Sequence, residues 1–307
     1  MKTKEQLIYS RPVLVLTLLK IILAGLFSSG YQDNLFVPFV NYFLDNLNNP
    51  WAHFYAQKSF DMFPYPPIML YVLSGFYFFY DILPFESIFF QNLLFKSPTI
   101  ISDLFILYFL LKLFPNSFNR IIIFYFISPI VLYSGYMHSQ LDLIPTSVLF
   151  SSIFFLVNGN LYLSAILYGF ALGIKHHTII ALPLIVIYLY KNFRMINIVY
   201  FISISLLIFI VPLISYLKDS GFFQLVLDNP AQTLIYESYF QIGTMKLYIP
   251  LFVSGILYLR FFMYEKINRD LLFAFINLLF VTFILLVASS PGWHLWISPF
   301  VSIFFIK

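Results

Sequence analysis

Five short stretches carry the side chains with which this chain could do chemistry. Asp33, in "SSGYQDNLF", lies four residues beyond an apolar segment that closes at Ser29. A carboxylate fixed there among aromatic rings suits proton abstraction from a hydroxyl; an ordinary solvated loop aspartate is the plainer alternative. "GYMHSQLDLIP" gathers His138, Gln140 and Asp142. His138 and Asp142 are four apart and share a face in a helical turn, a grouping for sugar hydroxyls or phosphate oxygens, or a polar cap at an interface. Lys175, His176 and His177 are adjacent donors. They fit a lipid phosphate, Lys acting as a point charge, or else a snorkelling Lys with interfacial histidines. His294 sits between Trp293 and Trp296 in "SSPGWHLW", a composition that aromatic belts also produce. Asp103 falls inside an apolar segment. Such a carboxylate is a functional candidate by default, with bonds to Ser102, Thr99 or a neighbouring helix as the structural alternative.

Other chemistry is excluded or unsupported. The chain has no cysteine, so disulfides, thiolate catalysis and Cys-based metal sites are absent. Its five histidines show no H-E-x-x-H spacing. A metal held by His138, His176 or His177, His294 and an aspartate is therefore unsupported; no cofactor is expected, with a divalent metal left open. Neither a Gly-rich phosphate loop nor G-x-S-x-G occurs.

The elements that must position these residues are membrane helices. Of 307 residues, 61% are hydrophobic and 10% charged, against about 25% charged in soluble domains. Segments able to cross about 30 Å of hydrocarbon recur along the chain, and their backbone groups must be satisfied internally, as in helices. The net charge of +4 implies no nucleic acid, because the basic residues stand at segment ends. Strong spans are expected at 12–29, 97–113, 121–137, 143–157, 196–217, 247–264, 271–288 and, shorter, 293–306. The first reads as an uncleaved span, since no small-x-small cleavage site follows it.

Two regions are ambiguous. "FDMFPYPPIMLYVLSGFYFFYD" holds 19 uncharged residues, Met62 to Tyr80, yet opens on three prolines. Asn160 to Lys191 as one helix would put Lys175, His176 and His177 at the bilayer centre, which is costly. Two helices meeting at "GIKHH" would bring them to a membrane face. With that hairpin, and with the Pro64 segment not crossing, one side collects Lys2, Lys4, Arg11, Lys112, Arg120, Lys191, Arg194, Arg260, Lys266, Arg269 and Lys307. The other keeps Lys58, Lys96, Lys175, Lys218 and Lys246. The positive-inside rule favours this arrangement, which also places every polar cluster on the outer side.

The order of these features resembles the GT-C membrane glycosyltransferases, which use polyprenyl-phosphate sugars. "GYQD" at Asp33 is followed by "FDMFPYPPIMLY", similar to that family's catalytic first loop and its Y-P-P element. "FKSPTIISDLFILYFLL", "ISPIVLYSGYMHSQLD" and "GFALGIKHHTIIALP" resemble segments of the dolichyl-phosphate-glucose glucosyltransferase and mannosyltransferase branch, and "SSPGWHLWISPF" its later His-containing loop. The likeness runs from Tyr31 to Pro183, with a weaker echo near the C-terminal end. Asp142 stands where that branch has Asn, and "KHH" replaces "KQ".

The resemblance implies a single all-α transmembrane catalytic domain over residues 1–307. About ten spans are expected, with juxtamembrane helices in a first outer loop, 30–95, and a second outer loop at 218–246. It implies sugar transfer to an acceptor hydroxyl at the outer face, with inversion and Asp33 as general base. Lys175, His176 and His294 would hold the donor phosphate; His138, Gln140, Asp142 and Tyr65 would contact sugar or acceptor. The partners are the polyprenyl-phosphate donor, a glycan, lipid or protein acceptor, and membrane lipids; the expected location is a bacterial inner (plasma) membrane. Two other classes stay open. One is a lipid-linked-sugar flippase or other transporter with Asp103, Asp142 and Lys175 along its path; the other is a lipid-binding scaffold.

Overall fold

Proline, asparagine and lysine divide the apolar sequence into many helices of moderate length. A computed structural model describes residues 10–82, 84 and 86–307, so Lys2 and Lys4 lie outside the described residues. The described chain is mostly helical, with fifteen α-helices and one two-stranded hairpin. In order they are α1 (Arg11–Leu26), α2 (Val37–Asn46), α3 (Pro50–Ala56), α4 (Pro67–Ile82), α5 (Ile88–Leu113) and α6 (Phe118–Ile121). Then come α7 (Leu143–Val157), α8 (Leu161–Ile174), α9 (Leu182–Asn192), α10 (Met195–Ile210), α11 (Ser220–Phe222) and α12 (Pro230–Thr233). The hairpin β1 (Tyr239–Ile242) and β2 (Met245–Tyr248) precedes α13 (Ile249–Phe262), α14 (Arg269–Leu286) and α15 (His294–Ile306).

The boundaries follow local chemistry. Asn49, Asn160, Asp219 and Asn268 each accept a backbone N–H at the start of the helix they cap, satisfying donors that the first turn leaves free. Between Phe118–Phe126 and Val131–Met137 the chain bends by 54°, where Pro129 disfavours helical geometry in the residue before it. Asn160–Lys191 is not one helix. Lys175 is extended, φ −156° and ψ 129°, and His176–Ala181 form a 3₁₀ segment between α8 and α9.

Among the described residues three helices, Ile88–Leu113, Met195–Leu213 and Arg269–Leu286, are long and apolar enough to cross a membrane; the bent pair would make four. That is fewer than the expected ten. The remaining apolar helices, such as Leu161–Ile174 with 14 residues, reach only about 21–24 Å at 1.5 Å per residue. α5 also begins nine residues before the expected Ser97, continuing through Pro98. Lys96, within that extension, is buried and donates to the carbonyls of Phe27 and Tyr136.

Neighbouring segments run in alternating directions. α1 opposes α5, with Lys20 on Asp103 near one end and Asn92 bonded to the Gly25 carbonyl near the other. α14 opposes α15, since Phe273 meets Phe300 while Phe280 meets Trp296. α9 opposes α14, with His177 against Phe280 and Asn192 bonded to the Ile267 carbonyl.

Two cores result. The larger fills the bundle. The smaller, built from Phe36, Phe39, Trp51, Phe63, Tyr65, Leu73, Tyr77 and their neighbours, adds residues where bundle segments end, such as Phe95, Leu141, Ile174 and Leu213. α4 buries its residues in this second core alone. Its start packs on Gly173 through Ile68, where a Cβ would collide with the isoleucine. Its far end receives a hydrogen bond from Gln91 to the Tyr77 hydroxyl, 3.0 Å. Both contacts, and its burial in the second core, place this helix at the end of the bundle where α8 stops and α5 starts.

Inside the bundle, Lys20 Nζ is 2.5 Å from Asp103 Oδ2, both fully buried. The Tyr125 and Tyr136 hydroxyls donate to the same carboxylate at 2.8 and 2.5 Å, and Lys20 also lies 3.5 Å from the Phe126 ring centre. Breaking a buried pair by removing one partner costs about 3–5 kcal/mol, because the other charge stays uncompensated. Asp103→Ala is therefore expected to lower the thermal midpoint in detergent strongly. Lys20→Met/Asp103→Leu should recover most of that loss; an unchanged midpoint in Asp103→Ala would show that the pair is idle.

Candidate functional site

At the end of the bundle capped by α4 lies a cavity of about 390 Å³. Its lining includes the polar side chains of Tyr31, Asp61, Tyr65, Gln140, Lys175, His176 and His177 together with the apolar Ile179, Ile180, Leu234, Ile235 and Phe283. Several chain breaks supply the polar side chains: the extended residue that ends α8, the turn before α7, and the proline run that starts α4. Helical backbone there would have kept these side chains on helix flanks.

Lys175 is held from behind. Its Nζ lies 2.5 Å from Asp142 Oδ1, and the same oxygen accepts from Trp296 Nε1 at 2.5 Å. Asp142 is buried, whereas the lysine side chain keeps 19% of its surface open. The ammonium also sits between the Tyr65 and Trp296 rings, 5.2 and 5.3 Å from their centres, where ring faces attract a cation. Gly292 closes over this pair: a Cβ there would come 2.5 Å from both Asp142 Oδ2 and Gln140 Oε1. Gln140 in turn donates to His138 Nδ1 at 2.9 Å. Ser139 between them adopts a left-handed φ of 56°, a conformation that costs a non-glycine residue about 1–2 kcal/mol and tends to persist at functional sites.

The two histidines are neutral. Burial lowers His176 to about 4, and burial, then Lys175 and His176, hold His177 well below the usual imidazole range. His176 Nε2 and both His177 ring nitrogens are shut off from solvent without a hydrogen-bond partner. The His177 ring stacks on Trp296 at 3.9 Å, and Trp296 on Trp293 at 4.7 Å, giving the cavity a flat aromatic side. The Tyr65 hydroxyl is pushed up by burial and then by Asp142, so it stays protonated.

Asp33 is exposed on a π-helical turn, Gln32–Phe36, and accepts from Ser28 Oγ at 2.7 Å. The turn is pinned by its neighbour: Gln32 Nε2 donates to Asn92 Oδ1 at 2.6 Å, and Asn92 to the Gly25 carbonyl at 3.2 Å. Tyr31, two residues from Asp33, lines the cavity and lies 6.0 Å from the His138 ring.

Of the expected site residues, Tyr65, Gln140, Lys175 and His176 share the cavity wall. Asp142 stands behind Lys175, His138 behind Gln140 and Tyr31, and Asp33 at the adjoining turn. His294 starts α15 half-buried, off the cavity lining, while Trp293 and Trp296 on either side of it reach that lining. Asp103 is enclosed by Lys20 and the two tyrosines within the bundle core, away from the cavity. Sequence reasoning missed Lys20, the cavity-facing Asp61 and the partnership of Asp142 with Trp296. Lys20 carried a usable signal, a lone charge within an apolar run; the Trp296 contact joins residues 154 apart and left none. No family model, curated protein or solved structure matches the chain.

The histidine burial sets a pH dependence. An unfolded His protonates near 6.5 and folded His176 near 4, so its contribution to stability is full above about 6.5 and is lost as pH falls through 4. The thermal midpoint of His176→Asn relative to wild type is expected to rise as pH drops from 7 to 4. A constant difference across that window would contradict a neutral buried His176.

Proposed function

We propose that this chain is a GT-C-type membrane glycosyltransferase that moves a sugar from a polyprenyl-phosphate donor to an acceptor hydroxyl. The carrying observation is one cavity whose lining combines a paired lysine, neutral histidines and aromatic rings with several aliphatic side chains. That combination suits a ligand with a sugar-phosphate head and a hydrocarbon tail. In this reading about ten helical segments, the shorter apolar helices among them, are the crossings. The basic residues of one end, among them Arg11, Lys112, Arg120, Lys191, Arg194, Lys266 and Lys307, face the cytoplasm, following the positive-inside rule. The cavity then faces outward, in a bacterial plasma membrane.

Asp33 is the general base. It takes the acceptor's hydroxyl proton while that oxygen bonds to the anomeric carbon, and the bond from that carbon to the phosphate oxygen breaks. The bonding electrons leave with the polyprenyl phosphate, and in-line attack inverts the anomeric centre. Charge grows on the phosphate as it departs, and Lys175, aimed into the cavity by Asp142, stabilises it with a hydrogen bond donated from His176. Gln140 and the Trp293 ring orient the sugar, and Tyr65 stays a neutral donor.

Purified protein with short-chain polyprenyl-phosphate sugars tests the chemistry. Asp33→Asn should cut turnover by at least about 10²-fold, the typical share of a general base. Full activity in that variant removes Asp33 from the mechanism, and no transfer by wild type with any donor removes the reading. Topology is tested on the cysteine-free background. Gln57→Cys and Asn116→Cys should react with an impermeant thiol reagent from opposite sides of sealed vesicles. Labelling from the same side would refute the arrangement.

A further inference from the structure

The β1–β2 hairpin has a face that nothing among the described residues covers. Its register pairs Tyr239 with Tyr248, Phe240 with Leu247, Gln241 with Lys246 and Ile242 with Met245. Paired residues share a face and alternate pairs swap faces, so Phe240, Ile242, Met245 and Leu247 form one side. They are 66, 68, 75 and 39% exposed. The other side holds Tyr239, Gln241, Lys246 and Tyr248, with Lys246 Nζ 4.5 Å from the Tyr239 ring centre. The turn fixes this sorting. Gly243, at φ 61°, is the first central residue of the two-residue turn, and Thr244 has no positive φ, the pattern of a hairpin-specific II′ turn. A one-residue slip would mix the faces.

We infer that this apolar face seats in the bilayer at the headgroup–acyl boundary, beside the cavity mouth. Two observations choose lipid over another occupant. First, β2 runs directly into α13, whose Leu251, Phe252, Ile256 and Leu259 are themselves exposed. The hairpin face therefore continues an outward apolar surface of the same kind as that of the Met195–Leu213 span, only 22% of which is buried within the protein. Second, the opposite face is tyrosine, glutamine and lysine, the side chains that hold a polar head in the interfacial layer over an apolar body. The segment just before the hairpin lines the cavity through Gln232, Leu234 and Ile235. The Ile249 N–H to Ser238 carbonyl bond, 2.9 Å, and the Tyr236–Tyr248 ring contact join that wall to the hairpin base. A hairpin held in lipid thus anchors one wall of the cavity to the membrane plane.

The inference rests on the membrane reading but not on sugar transfer, and a three-position experiment separates the two. Single-cysteine variants Met245→Cys, Gln241→Cys and Leu207→Cys of the full chain are labelled with an environment-sensitive fluorophore in nanodiscs. They are quenched either by a lipid with a nitroxide high on its acyl chain or by aqueous iodide. Met245 and Leu207, on the Met195–Leu213 span, should be quenched several-fold more by the lipid nitroxide, and Gln241 by iodide; Ile242→Cys should repeat the Met245 result. Iodide quenching at Met245 equal to that at Gln241, with Leu207 still lipid-quenched, overturns the hairpin inference alone. Protection of Met245 from both quenchers also overturns it, placing protein on that face. Iodide access at Leu207 overturns the membrane reading itself.

Discussion

The buried Lys20–Asp103 pair is the constraint on which the rest of the site depends. Two charges taken from water repay their desolvation only when geometry and further hydrogen bonds are good. Here the carboxylate takes the lysine and two tyrosine hydroxyls. Those partners belong to three different stretches: α1, the helix ahead of the bend and the turn behind it. Fixing them fixes the register of α1 on α5. That register sets where α1 ends, and so where the Gln32–Phe36 turn with Asp33 begins. Tyr136 carries the same constraint onward, since its carbonyl also receives Lys96 and its position precedes His138 by two residues.

The second ion pair does different work. Asp103 and Lys20 are sealed from solvent, whereas Asp142 is sealed and Lys175 is partly open. A buried carboxylate behind a partly exposed lysine holds the ammonium in place without hiding it. Trp296 shares the Asp142 oxygen, so the start of α15 is tied to the end of α8 through a single atom. Gly292 lets the backbone come close enough for this, and the left-handed Ser139 turns Gln140 to the same side. The cavity wall is therefore a convergence of chain breaks, each stabilised by one of its neighbours.

How much of this was legible follows from the range of each interaction. The split at "GIKHH" could be read because a lysine between two apolar runs resists burial as a helix midpoint, and Lys175 is indeed the extended residue there. The proline run before Pro67 marked a helix start for the same local reason, and α4 does begin at Pro67. Helix lengths were less legible than helix positions, because hydropathy registers apolar length but not the breaks at Ile127–Pro129 or after Leu26. Asp142 was read as a contact for sugar or acceptor; the structure adds that its Oδ1 serves Lys175 and Trp296, contacts spanning 33 and 154 residues. Nothing in local spacing encodes such pairs. Asp103 offered two readings, and Lys20, 83 residues earlier, gives weight to the structural one.

The charge inventory of the cavity narrows what can sit in it. Its wall carries one lysine, already balanced by Asp142, a single further carboxylate at Asp61, and two neutral histidines. Bringing in a dianion would place two negative charges against a wall with no unmatched cation, in surroundings where water screens poorly. A phosphodiester carries one charge spread over two oxygens, and the lysine with its neighbouring imidazole N–H can meet that without a counterion. Uncharged hydroxyls can use the Gln140 amide and the aromatic rings beside it. An amphiphile with a single negative charge between a sugar and a hydrocarbon chain matches this wall better than a nucleotide or a pyrophosphate does. On the glycosyl-transfer proposal, the same balance accounts for Asp33 standing outside the cavity, since a second wall carboxylate would oppose the charge assigned to Lys175.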